Sequence, residues 1–249
     1  MTNESSPTIA NLIKLAAQLR DQCDSYAQTL LEEGAADYIY NPLYYAWDVH
    51  KAYVNLAGGL GAKTILLGMN PGPHGMGQMG IPFAAASMVR DLLGIKGIPV
   101  KPARRPHPKR TIVGLSYPKE EVSGTRLWGL LKMHYGDAEG IFKKVFIVNH
   151  CPLMFLNGPR ATNITPDKIS GSTNKALLAD GDAHLKAGVE ALGATQVIGV
   201  GRFAEGRAKK ALKGMNIDIT TCWHPSPASP LANKNGGADW RANVRNVLP

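Results

Sequence analysis

TILLGMNPGPHGMGQMGIPF, Thr64 to Phe83, decides the reading of this chain. Its first five residues are a short apolar run of the kind that forms a buried strand. The segment after Gly68 is dense in Gly and Pro and has the period of neither a strand nor a helix. A polar loop therefore leaves the end of a buried strand, where open α/β folds place their binding sites. A second segment has the same construction. DITTCW, Asp218 to Trp223, reads as a strand, and HPSPASPLANK, His224 to Lys234, follows it as a Pro-stiffened loop. The first loop offers an amide, Asn70, and an aromatic ring, Phe83. The second offers an imidazole, His224. Together these groups suit a flat heterocycle.

Two more strands flank the helical stretches between these segments. Val145–Asn149 is one, ending in NHCP, and Gln196–Val200 is the other. Helical periodicity marks residues 8–32, 85–93, 125–135, 172–192, 202–213 and 238–247. Strands alternating with helices predict an α/β fold whose parallel sheet is covered on both faces. Tyr38–Trp47, YIYNPLYYAW, is expected to pack its rings over the core. Gly94–Ser123 is rich in Pro, Gly, Lys and Arg and reads as a long surface excursion, a kind of loop that is often functional. With no repeat, low-complexity tract or linker, one domain over 1–249 is the economical organisation, with 1–35 as an N-terminal helical segment.

The bulk numbers narrow the class. A chain of 249 residues with 44% apolar content can bury a sizeable core. No apolar run approaches a membrane span, and the N-terminus has no secretory pattern. Three scattered cysteines suit neither a disulfide framework nor a CxxC metal or cluster site, so a cytoplasmic setting is expected. The formal net charge of +9 suits a polyanion partner or a merely basic enzyme.

Several motifs compete for the chemistry. GVGRFA, Gly199 to Ala204, matches a dinucleotide fingerprint but comes too late in the chain, with one strand left to follow. A tight turn with close helix–strand packing explains it better. Cys222 and His224, with His150 and Cys151, match no common zinc spacing, and no metal is expected. KPARRPHPKR, Lys101 to Arg110, carries five Lys/Arg residues in ten positions. Arg104, Arg105, Lys109 and Arg110 are its candidate phosphate contacts. Asn70, Asn149 and His224 form a stronger set. Each lies at or just past a strand end, near proline, and three such polar groups at one sheet edge suggest one site.

The longer segments carry a family resemblance. GMNPGPHGMGQMGIPF, VNHCPLMFL and HPSPASPLANK resemble the three signature segments of the single-strand-selective monofunctional uracil-DNA glycosylases, within the uracil-DNA glycosylase superfamily. The likeness runs through YNPLYYAW, SMVRDLLGI, HPKR, VSGTRLWG, NITP and VIGVGR, from about Tyr38 to Trp240. It implies a three-layer α/β/α fold around a four-stranded parallel sheet. It also implies a base excision repair enzyme that hydrolyses the N-glycosidic bond of uracil in single- and double-stranded DNA, leaving an abasic site. 5-Hydroxymethyluracil is implied as a second substrate, and deaminated purines stay open. The enzyme would be a monomer without cofactor or metal, nucleoid-associated in a bacterium and nuclear in a eukaryote.

The same resemblance distributes roles. Asn70 would position the attacking water and His224 would hydrogen-bond the uracil O2, helped by backbone N–H groups near Met69. Phe83 would stack on the flipped base and Asn149 would read its Watson–Crick edge. Gly72 would sit by the C5 substituent. Pro225, Ser226, Pro227, Ala228 and Ser229 would enter the base stack as a wedge. Ala228 and Ser229 stand where vertebrate relatives typically carry Arg and Asn. His74, Met79 and Ala84 replace the usual Phe, Thr and Gly. The rival reading is a catalytically weak DNA-damage-binding module with the same pocket.

Overall fold

The computed structural model describes residues 6–249. In chain order the elements are α1 (Pro7–Glu32), β1 (Tyr38–Tyr40), α2 (Pro42–Tyr45), α3 (Trp47–Ala57), β2 (Thr64–Gly68), α4 (Met76–Met79), α5 (Val122–Tyr135) and α6 (Ala138–Phe142). They continue with β3 (Val145–Asn149), β4 (Met154–Asn157), β5 (Thr162–Ile164), α7 (Ser172–Leu192), β6 (Gln196–Val200), α8 (Arg202–Ala211), β7 (Asp218–Cys222), α9 (Pro230–Asn233) and α10 (Ala238–Arg245).

Strands β3, β2, β6 and β7, in that order, form the expected four-stranded parallel sheet. Every residue of β2 is buried, as a strand with a neighbour on each side and helices over both faces requires. Register then places the functional loops. Gly68 pairs with Asn149 at the exits of β2 and β3, and Val200 pairs with Cys222 near the exit of β7. The exits of all three strands thus open on the same end of the sheet.

The helix expected over 85–93 contains a π-helical stretch, Met88–Leu92. Helix α5 starts three residues before its expected Thr125, because the Glu121 carboxylate accepts from the Ser123 N–H at 3.4 Å and caps it. At GVGRFA the tight-turn reading matches the structure. A Cβ on Gly199 would lie 2.4 Å from the Glu205 backbone nitrogen, so glycine there lets α8 press directly onto β6.

A second, antiparallel sheet, β1-β4-β5, has no counterpart in the sequence reading. Tyr38 faces Leu156 and Tyr40 faces Met154, so the aromatic segment enters the interior as an edge strand. Tyr40 is almost wholly buried, and its hydroxyl donates to the Arg110 carbonyl while accepting from the His107 N–H. The excursion between Gly94 and Ser123 is thereby tied down on this second sheet. Among the described residues, no helix is long and apolar enough to cross a membrane.

Candidate active site

A cavity of about 410 Å³ opens at the strand exits. The segment after β2 lines it with Met69, Asn70, Gly72 and Phe83, the end of β3 with Asn149, and the loop after β7 with His224 and Ser226. Asn70, Asn149 and His224 are therefore brought together. The cavity is closed by groups from elsewhere: Glu121 and Ser123 at the start of α5, Met76 on α4, Asn163 on β5 of the second sheet and Thr165 just after it.

The floor depends on Gly68. A Cβ there would lie 2.1 Å from Asn149 Oδ1 and 2.7 Å from Phe83 Cε2. Only a bare Cα lets the amide and the ring lie this close to the end of β2. Phe83 itself has φ +52°, a left-handed backbone costly for a bulky residue. Such strain persists only where the surroundings over-determine it, and it clusters at functional sites. The Phe83 ring lies 5.9 Å from the His224 ring, tilted by 43°.

Asn149 is only 5% exposed. Its Nδ2 faces only the Met76 sulfur at 3.1 Å, a weak acceptor, and its Oδ1 is buried with no partner among the described residues. A buried amide left this poorly satisfied is costly, on the order of 1–3 kcal/mol, and calls for an explanation. Asn70 is oriented by its Nδ2, which donates to the Leu153 carbonyl at 3.4 Å. Its Oδ1 remains as an acceptor.

His224 carries the clearest chemical information. Its Nδ1 accepts the Ser226 backbone N–H at 3.1 Å. The ring proton must then sit on Nε2, which becomes a donor. Burial lowers the imidazole pKa below its usual value, so the ring is neutral at pH 7. Burial also raises the Glu121 carboxyl above its ordinary range.

His150, the neighbour of Asn149, turns elsewhere. Its Nε2 lies 2.8 Å from Asp182 Oδ1, and Arg207 holds the other oxygen of Asp182 at 2.6 Å. Burial pushes the thiols of Cys151 and Cys222 up to about 12, leaving them protonated.

Other expected site residues stand outside the cavity lining. Pro225, Pro227, Ala228 and Ser229 belong to the loop beside it. Met79 and Ala84 are fully buried, and His74 stacks on Tyr117 with ring centres 5.5 Å apart. Two of the four expected phosphate contacts have partners within the fold. Arg104 is ion-paired to Asp24 on α1 at 2.5 Å and covers the Tyr44 ring at 4.1 Å. Arg105 lies over the Tyr38 ring at 5.5 Å. Both guanidiniums stay exposed while resting against α1, α2 and β1, where long-range acidic and aromatic partners meet them. Lys109 is exposed, and Arg110 reaches the Ala161 carbonyl at 3.5 Å.

A model of the uracil DNA glycosylase superfamily matches residues 57–245. The chain belongs to this superfamily. It is 43% identical over 215 residues to the single-strand selective monofunctional uracil DNA glycosylase of Bos taurus, covering 85% of this chain and 78% of that one. It is 44% identical over 212 residues to the single-strand selective monofunctional uracil-DNA glycosylase of Rattus norvegicus, covering 84% and 74%. The crystal structure of Pedobacter heparinus SMUG2 superposes with a TM-score of 0.59 at 19% identity, covering 84% of each chain, and shows the shared fold.

Against this superfamily background, the residues that sequence reasoning missed are Glu121, Ser123, Met76, Asn163 and Thr165. Two signals pointed toward Ser123, Asn163 and Thr165. VSGTRLWG and NITP stand out as motifs, yet neither is attached to a strand of the parallel sheet.

Proposed function

We propose that this chain is a monofunctional uracil-DNA glycosylase that hydrolyses the N-glycosidic bond of uracil in DNA and leaves an abasic site. The observation that carries the reading is His224: a half-buried, neutral imidazole whose proton is fixed on Nε2 at the wall of the cavity. As the glycosidic bond breaks, negative charge builds on the uracil, largely on O2. A preorganised donor aimed at that oxygen stabilises charge that exists only in the transition state. A neutral ring does this without holding a partly desolvated cation in the site.

The other groups fit the same substrate. The base must leave the stack or be met in a single strand, and a cavity of about 410 Å³ admits one ring, not a paired duplex. Phe83 provides a face for stacking. Asn149 Oδ1 accepts the uracil N3–H, and Nδ2 exchanges its weak sulfur contact for O4. Cytosine reverses both polarities, so it would leave buried groups unpaired, a mismatch worth several orders of magnitude. Asn70 Oδ1 accepts from the attacking water and orients it. An amide is a poor base, so leaving-group stabilisation carries most of the catalysis, with the DNA phosphates near the sugar cation. Gly72, open to the cavity, leaves room at C5 for the hydroxymethyl group of 5-hydroxymethyluracil.

We assign both single- and double-stranded DNA as substrates, bound by a monomer, with Lys109 and Arg110 as phosphate contacts. The protonation state adds a pH dependence. Burial lowers the imidazole pKa, so excision is flat through neutral pH and falls only on acidification below the ordinary imidazole range, because a proton on Nδ1 expels the Ser226 N–H and converts the loop contact into repulsion.

A gel assay tests the reading. Oligonucleotides with a single uracil, single-stranded and in duplex, are incubated with the enzyme, and abasic sites are cleaved with alkali. The expected result is cutting by the wild type and a loss of roughly 10²–10³-fold in His224→Ala. Tight binding of the uracil strand without any cutting would turn the assignment to a damage-binding module.

A further inference from the structure

One guanidinium holds both ends of the loop beside the cavity. Arg126 on α5 donates from Nη1 to the Pro225 carbonyl at 3.0 Å and from Nη2 to Asn233 Oδ1 at 2.9 Å. Asn233 passes the restraint inward. Its Nδ2 donates to the carbonyls of Pro227 at 2.7 Å and Ser229 at 3.1 Å. Within the loop the Ser229 N–H bonds the Ser226 carbonyl at 2.9 Å, and the Ala228 N–H bonds Ser226 Oγ at 3.2 Å. Prolines at 225, 227 and 230 fix three more backbone angles. The loop is therefore closed on itself and bolted to a helix before any ligand arrives.

This rigid loop carries one large apolar side chain, Leu231, and leaves it 46% exposed. Ala228 and Ser229 are too small to fill a gap between bases. An aliphatic side chain on a stiff support is the usual means of prying a base step apart.

We infer that Arg126 is a positioning residue that braces Pro225–Asn233 as a preformed wedge, and that Leu231 is the side chain this wedge presents to the base stack. The inference rests on the glycosylase reading and deepens it. Unstacking costs on the order of a few kcal/mol per step, and a loop that also had to be ordered at that moment would add its own entropy. The brace removes that second cost. A lysine cannot replace it, since a point-like ammonium does not span two acceptors as a planar guanidinium does. On single-stranded DNA no duplex stack has to be opened, so the brace matters less there.

The test compares wild type with Arg126→Met, Arg126→Lys and Leu231→Ala. Single-turnover excision of uracil is measured on single-stranded and duplex oligonucleotides, and 2-aminopurine beside the uracil reports unstacking in the duplex. We expect the duplex-to-single-strand rate ratio to fall about tenfold in all three, equivalent to 1.4 kcal/mol in the barrier, with a smaller fluorescence rise. An unchanged ratio overturns the inference. An equal fall on both substrates also overturns it, because Arg126 would then be steadying His224 through Pro225. Leu231→Ala removes an exposed side chain and keeps the test open if an Arg126 variant misfolds. Should the wild type excise nothing, the glycosylase reading fails by itself. The fluorescence still decides the wedge: no rise in the wild type, or the same rise in Leu231→Ala, overturns it.

Discussion

The strand-exit cavity and the basic excursion between Gly94 and Ser123 both carry polar groups that the sequence alone assigns to DNA, and the fold treats the two regions in opposite ways. In the cavity the groups are held but not satisfied. Among the described residues, Asn149 keeps a buried oxygen without a partner, His224 is anchored through one nitrogen with the other left as a donor, and Asn70 is tied by its amide nitrogen alone. In the excursion two of the charges are already engaged. Arg104 has Asp24 and Tyr44, and Arg105 has Tyr38. Unsatisfied polar atoms in a buried place are costly, so a fold retains them where a ligand completes them. Satisfied cations on a surface say little about a partner. Unused hydrogen-bonding capacity at fixed positions therefore separates a site from a charged face better than charge does.

The sharpest way to break this comparison is to disturb the fixed positions while leaving every polar group present. Gly68→Ala does so. Its methyl would meet the Asn149 amide and the Phe83 ring at once. Displacement by about 1 Å of groups that position a substrate costs on the order of 10²-fold, and two are displaced here. We expect uracil excision to fall by roughly that factor or more, with stability lower by about 1–3 kcal/mol from overpacking. Single-turnover kinetics on a single-stranded uracil oligonucleotide, with a denaturant melt alongside, measures both. Excision within tenfold of wild type would mean the amide and ring are not held in working positions.

Asn149→Leu probes the unsatisfied state itself. Leucine has a similar shape and removes both the orphaned oxygen and the amide that contacts sulfur. The comparison predicts that activity on uracil disappears while stability is unchanged or rises by about 1 kcal/mol, because a polar group costly to bury is gone. Thermal melting decides the matter. A drop of about 3 kcal/mol or more would show that the amide serves the free protein, and the contrast with the excursion would lose its meaning.

The difference between the two regions also explains what the sequence could convey. Strands Val145–Asn149 and Gln196–Val200 and helix Ser172–Leu192 coincide with their expected bounds, because a continuous apolar run or a long helical period is local information. The polar groups at strand ends follow from that, so Asn70, Asn149 and His224 were legible as a set. The second sheet was not. Its strands are three or four residues long, too short for alternation to show, and β1 pairs with β4 across more than a hundred residues. Asn163 enters the cavity from that sheet, Thr165 from the residue after it and Glu121 from a helix cap, so none is marked by a parallel strand before it. The partner of Arg104 was hidden for a related reason. Nothing near KPARRPHPKR in the sequence announces Asp24, which lies 80 positions away.

The smallest expected effect separates the cations within the excursion. Removing one phosphate-binding cation lowers the slope of log affinity against log salt by nearly one for duplex DNA, and a partnered cation contributes little to that slope. Lys109→Gln and Arg110→Gln should each flatten the salt dependence of binding to a uracil duplex by close to one. Arg104→Gln should leave the slope as it is, and its exposed pair with Asp24 should be worth no more than about 1 kcal/mol of stability. Fluorescence anisotropy over a salt series resolves the difference. If Arg104→Gln flattens the slope as much as Arg110→Gln does, then Asp24 gives up its guanidinium when DNA binds. The excursion would then be a reserve of charge that the free protein holds in place with α1, and the line between engaged and free groups would have to be redrawn for charges, though it would still stand for the buried amide and the half-buried imidazole of the cavity.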